Sequence, residues 1–163
     1  MRSQYLKISE VIQPLTIDLE LKGITSKTEA IDHLSELLER AGLLVDKEAY
    51  IQSVYERETL GPTYMEHFIA IPHGKSDAVR EAGIAFGRSA EGFLYETPEG
   101  GGIAKLVFLL AIPNRTAADA YMAVLAQLAR LLVHDEFREA LMAAKDYQDV
   151  FNAIVDGESL LED

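Results

Sequence analysis

The sequence predicts an α/β domain with helices packed over a central sheet. Two patterns carry that expectation. Apolar runs of strand length, the longest from Leu106 to Ile112, alternate along the chain with stretches whose apolar residues recur at helical spacing. Size agrees: 163 residues, 48% apolar and 26% charged, suit one domain over residues 1–163. A chain of that length buries roughly 70% of its unfolded surface.

The elements follow in order. Thr16 to Leu21 alternates apolar and polar residues, placing Ile17, Leu19 and Leu21 on one side of a half-buried strand. Ser26-Lys27-Thr28-Glu29 is a capping box, in which the hydroxyl accepts from the backbone N–H three residues on and the glutamate reaches back. A helix follows with Ile31, Leu34, Leu37 and Leu38 on one stripe, ending near Gly42. Asp46 caps a second helix from Lys47 to Leu60, stopped by Gly61-Pro62. Phe68 to Ile71 and Gly83 to Gly87 are short strands, the first ladder ending at Pro72, which has no N–H to donate. Leu106 to Ile112 is an unbroken apolar run, the mark of a strand covered on both faces. Glu91 to Gly102, rich in glycine and acid, reads as an exposed loop. Met122, Leu125, Leu128, Ala129 and Leu132 keep helical spacing, and shorter helices follow at Glu136 to Ala144 and Tyr147 to Val155.

Charge and composition exclude several functions. The formal net charge is −12, whereas nucleic acid and anionic membrane surfaces both require clustered Lys and Arg. Cysteine is absent, which removes disulfides, thiolate metal sites and cysteine nucleophiles together. No apolar run approaches the ~20 residues of a membrane helix, and the N-terminus lacks the apolar stretch of a signal peptide. A cytoplasmic protein is expected.

The chemistry concentrates around His73. It follows an apolar strand directly, between Pro72, whose φ is fixed, and Gly74, which admits close approach. Open α/β sheets place ligands at such carboxyl ends. A neutral imidazole, with an ordinary pKa of about 6.5, is a competent nucleophile near neutrality. The same pattern fits a histidine that only satisfies its hydrogen bonds at a strand end. Arg57 lies three residues before the helix break, and its planar fork suits phosphate oxygens; it equally fits a surface pair with Glu56 or Glu58. Thr63 offers a hydroxyl to the same oxygens, or caps the turn. From Arg57 to Arg88, four cations (Arg57, Lys75, Arg80, Arg88) balance four acids (Glu58, Glu66, Asp77, Glu81), so the whole −12 lies elsewhere. Gly74-Lys75-Ser76 lacks the leading glycine of a phosphate-cradling loop, and Gly100-Gly101-Gly102 lacks a dinucleotide fingerprint. His67 and His73 have no recognised metal-ligand spacing. No metal or cofactor is expected.

Arg57-Glu58, then Gly61-Pro62-Thr63, then Ile69-Ala70-Ile71-Pro72-His73-Gly74 resembles the IIA components of the bacterial phosphoenolpyruvate-dependent sugar phosphotransferase system, mannitol/fructose class. Weaker similarity runs from about Leu6 to Val155. The resemblance implies a single-domain mixed β-sheet with helices on both faces. It also implies a phosphotransferase that acts as a carrier: His73 takes a phosphoryl group through Nε2 from phosphohistidine carrier protein. It then passes the group to a cysteine of a IIB component, which phosphorylates sugar entering through a membrane IIC component. Arg57 and Thr63 would support the phosphate. Two departures stand out. Tyr121 occupies the place of the family's second histidine, early in the helix after the long strand. Met65-Glu66-His67-Phe68 stands where glycines are common. With no cysteine and no membrane segment here, IIB and IIC are expected as separate polypeptides. The alternatives are a nitrogen-related regulatory IIA protein, phosphorylated on the same residue and acting by protein binding, and a binding module that is not phosphorylated.

Overall fold

Apolar residues on both sides of one strand dictate three layers. The computed structural model describes residues 7–161. In chain order they form β1 (Ile12–Asp18), α1 (Lys27–Arg40), α2 (Lys47–Glu58), β2 (Tyr64–Met65), β3 (Ile69–Ala70) and β4 (His73–Ser76), followed by β5 (Gly83–Tyr95), β6 (Gly102–Pro113), α3 (Ala118–Leu132), α4 (Asp135–Ala143) and α5 (Tyr147–Leu161). The sheet runs β1-β5-β6-β3-β2, with β4 pairing β6 beyond β3. It is mixed: β1 is parallel to β5, β5 antiparallel to β6, and β3 and β4 parallel to β6. β6 is buried continuously from Leu106 to Pro113. Alternate residues serve opposite faces, as the two-residue period of a strand requires. Leu106, Phe108 and Leu110 pack with α3, α4 and α5, whereas Val107, Leu109 and Ala111 pack with α1 and α2. The directly paired Phe86 and Phe108 rings, 4.7 Å apart, fill the first layer. The predicted α/β class with helices on both faces is observed.

Both predicted caps form. Ser26 Oγ accepts from Glu29 N, and Asp46 Oδ1 accepts from Ala49 N. The return arm of the first box reaches one residue further back than predicted, to the Thr25 N–H. Both helices stop two residues early, at Arg40 and Glu58. The first strand begins and ends sooner than the alternation suggested. Asp18 Oδ1 accepts from Glu20 N, so the chain turns there and carries Leu21 to the α1 side, while Ile17 and Leu19 stay with the other layer. The expected Glu91–Gly102 loop is largely a hairpin: β5 continues to Tyr95 and β6 begins at Gly102. A bulge at Gly92, closed by its N–H on Ser89 Oγ, restores a period-two pattern in Phe93 to Tyr95 that the surrounding acids disguise. In α3 the buried stripe is Val124, Leu128, Leu131 and Leu132, and Met122 is 59% exposed. The last helix extends to Leu161 rather than ending near Val155.

One cation joins the layers at the far end. Arg88 on β5 donates from Nε to the Leu19 carbonyl and from Nη1 to those of Leu141, Met142 and Ala144, so it caps α4, whose chain leaves the helix extended at Ala144. Arg88→Ala is expected to cost about 2 kcal/mol, because several carbonyls lose a charged donor at once. At this chain length that lowers Tm by about 4–8 °C. An unchanged melting curve would show that water caps α4 equally well.

Candidate functional site

His73 opens β4, an addition to the expected topology. The ladder breaks at Ile71-Pro72 because proline cannot donate, yet the Pro72 carbonyl still accepts from Leu110 N, and pairing with β6 resumes at His73. Direct pairing of His73 with Leu110 and of Lys75 with Ile112 puts both side chains on the face covered by α3. Gly74, paired with Ala111, faces α2 instead. A Cβ there would lie 2.3 Å from Ser53 Oγ and 3.1 Å from the Val54 backbone nitrogen, so only glycine lets α2 seat this closely. Tyr50 secures the same contact from within, its buried hydroxyl donating to the Leu110 carbonyl at 2.7 Å.

His73 as a residue is 8% exposed. Nδ1 lies 3.1 Å from the Ile71 carbonyl oxygen. A carbonyl only accepts, so Nδ1 carries the proton and Nε2 holds the free lone pair. Among the described residues Nε2 has no protein partner, and only Ser35 Oγ is both unpartnered and sealed from solvent. Nε2 is therefore neither bonded nor sealed: most of the residue is gripped while its nucleophilic atom keeps some contact with solvent.

Burial holds the His73 imidazole below its ordinary value of 6.5; the Ile71 carbonyl opposes this, Arg57 adds to it, and Glu58 opposes it. The neutral form therefore persists below pH 6.5. The unfolded chain takes this proton first, so acidification below pH 6.5 favours unfolding, and His73's contribution to stability is lost as pH falls through the folded value. NMR titration of the folded protein should give a His73 midpoint under 6.5. A midpoint at or above that figure would contradict the burial argument.

Arg57 occupies the last turn of α2. Nη1 donates to the Gly61 carbonyl at 2.9 Å, and the rest of the fork has no protein partner among the described residues. It pairs with neither Glu56 nor Glu58. Thr63 is buried and donates to Glu58 Oε2 at 2.5 Å; its single proton thus committed, the Tyr95 hydroxyl donates to it at 3.0 Å. The hydroxyl offered to phosphate by the sequence is engaged within the protein. Tyr121, in the first turns of α3, carries Lys75 Nζ over its ring at 5.1 Å, which brings a cation to the face shared with His73. His67 and Phe68, in the turn from β2 to β3, both adopt left-handed φ (67° and 66°), the conformation glycine would take without strain. Lys105 Nζ sits 4.8 Å over the Phe68 ring, and the Phe68 carbonyl accepts from Lys105 and Leu106 N.

Sequence reasoning did not find the group behind this site. Lys27 Nζ lies 3.3 Å from Glu58 Oε1 and donates to the Glu96 carbonyl, so α1, α2 and β5 meet around one carboxylate. Lys27 is 31 positions from Glu58 and Tyr95 lay in an expected loop, so no local signal joined them. Burial, reinforced by Glu58, pushes the Tyr95 phenol far above its usual range.

Fold and site together define a class: a mixed, doubly covered sheet that presents one tautomerically fixed histidine at its edge, within electrostatic reach of a guanidinium. Residues 10–157 match the family described as phosphoenolpyruvate-dependent sugar phosphotransferase system, EIIA 2, and the chain belongs to that family. It is 34% identical to the fructose-specific EIIA component of Haloferax volcanii, over 89% of this chain and 93% of that one. It is 36% identical to the 2-O-alpha-mannosyl-D-glycerate-specific EIIABC component of Escherichia coli over 81% of this chain, but spans only 20% of that relative's length; the fructose-specific EIIABC component of Bacillus subtilis is likewise covered over 23%. Nitrogen regulatory protein IIA-Ntr from Neisseria meningitidis superposes with a TM-score of 0.79 at 29% identity, covering 90% of this chain and 98% of that one. The Escherichia coli complex of enzyme IIA mannitol with phosphorylated enzyme IIB mannitol gives 0.71 at 27% identity, covering 90% and 99%. Family membership supports a phosphoryl-carrier role in the sugar phosphotransferase system. No helix among the described residues is long and apolar enough to cross a membrane.

Proposed function

We propose that the chain carries a phosphoryl group on Nε2 of His73, received from phosphohistidine carrier protein and passed to a cysteine of a IIB component during sugar uptake. The supporting observation is the His73 ring itself, with Nδ1–H tied to the Ile71 carbonyl and Nε2 left open. The Nε2 lone pair attacks phosphorus as the donor's P–N bond breaks; the donor leaves as neutral imidazole while the Nδ1–H of His73 stays in place. In the second step a IIB thiolate attacks phosphorus, the Nε2–P bond breaks, and His73 returns neutral. The donor phosphoramidate is already reactive, so transfer needs chiefly positioning and charge stabilisation. The unpartnered side of the Arg57 fork suits the phosphoryl oxygens, and the Tyr121 hydroxyl stands in for the second histidine. A cytoplasmic location goes with this reading. The solved IIA–IIB complex of a relative supports the choice of acceptor.

The test is incubation of the full chain with phosphoenolpyruvate, enzyme I and phosphocarrier protein. It should acquire an acid-labile, base-stable phosphate that moves onto an added IIB domain. Arg57→Ala should slow uptake by about 10²-fold, the usual effect of removing one stabilising donor, with the fold intact. An unlabelled wild-type chain would overturn the proposal. The similarity to IIA-Ntr supports one alternative: a regulator phosphorylated on the same residue that acts by binding proteins. Labelling without transfer to any IIB domain would decide for it.

A further inference from the structure

Glu58 closes α2 with a side chain only 5% exposed, and a buried carboxylate is costly unless its oxygens are satisfied. Here both are: Oε1 by Lys27 and Oε2 by Thr63, itself held by Tyr95. Two connections lead from this cluster to the reacting groups. Thr63, anchored by its hydroxyl, accepts at its backbone carbonyl from Ile71 N at 3.0 Å, and the Ile71 carbonyl accepts from His73 Nδ1. The Glu58–Thr63 bond also closes the loop 58–63, in which Gly61 N donates to the Glu58 carbonyl and the Gly61 carbonyl receives Arg57 Nη1.

We propose that Glu58 is a positioning residue for phosphoryl transfer: through Thr63 it fixes the carbonyl that holds His73 in its Nδ1–H form, and through the closed 58–63 loop it holds Arg57. It touches no phosphate. The inference rests on the reading of His73 as the acceptor, but half of its test needs no donor.

The tautomer is read by ¹⁵N NMR of the unphosphorylated full chain, and single-turnover uptake is followed against donor concentration. Glu58→Gln keeps the shape but withdraws one acceptor. It should raise the Nε2–H fraction of His73 and slow maximal uptake by about 10–100-fold, the range seen when partners that orient a reacting group are removed. Half-saturation by the donor should not move, because Glu58 is buried away from it. Thr63→Val, which leaves Glu58 in place and cuts the link, should act in the same direction, while Thr63→Ser should restore both readouts. A wild-type tautomer and uptake rate in folded Glu58→Gln or in Thr63→Val would overturn the proposal, as would a slowed rate with an unchanged tautomer. A wild-type chain that takes no phosphate would instead remove the carrier reading, leaving the tautomer comparison to judge the Glu58 linkage on its own.

Discussion

His73→Ala is expected to take up no acid-labile phosphate, a fall of at least about 10³-fold, because a covalent route disappears with its nucleophile. Among the described residues no other histidine is held in the same way. The chain has no cysteine. His33 Nε2 is bonded to Asp18 at 2.7 Å, and His134 precedes α4 on the far side of α3 in the chain. His67 is exposed on the β2–β3 turn but lacks the carbonyl that fixes the tautomer of His73. The loss should not come from unfolding. Removing the imidazole leaves a buried carbonyl without its donor, about 1–3 kcal/mol, so Tm should fall by about 2–12 °C with the fold retained. Mass spectrometry after acid and base treatment, beside a melting curve, separates the two effects. Persistent labelling of a folded His73→Ala protein would place the acceptor elsewhere.

The second large effect is structural. Gly74→Ala should lose about 1–3 kcal/mol, the usual cost of overpacking a fitted contact. The new methyl would meet Ser53 Oγ at 2.3 Å, Val54 Cγ2 at 3.0 Å and the Val54 backbone nitrogen at 3.1 Å. Ser53 Oγ is itself engaged with the Tyr50 carbonyl, and the Val54 nitrogen belongs to the helix backbone, so α2 must move as a body. That helix carries Arg57 and Glu58, and phosphoryl uptake should fall along with stability. Urea unfolding with an unchanged slope would identify a loss of native packing. Full stability in this variant would mean that α2 does not rest on β4 as described.

Much of this was legible in sequence because its causes are local. Ser26 and Asp46 announce helix starts through bonds to backbone groups three residues away. The run from Leu106 to Ile112 announces a strand buried on both faces because nothing polar interrupts it. The Arg57-to-His73 pattern marked the site because proline and glycine limit the backbone wherever they occur. The errors also have physical causes. The hairpin was hidden by the acids and glycines of its bulge and turn, and Met122 is apolar but lies on the side of α3 opposite its buried stripe. Sequence alone ends the ladder at Pro72, because resumption at His73 depends on β6 lying alongside, with Leu110 as the partner of His73.

By itself the sequence determined which groups are available: one histidine between proline and glycine, an arginine ahead of it, no thiol, and a tyrosine in place of a second imidazole. Tertiary structure alone decided their states. The Ile71 carbonyl and the Gly61 carbonyl lie only two and four positions from the groups they bind, but burial of the His73 ring and the gathering of Lys27 and Tyr95 around Glu58 and Thr63 come only with folding. Spacing along a chain records what can be bonded within a turn or two, whereas a buried charge's partners are set by whichever distant segments fill the surrounding space.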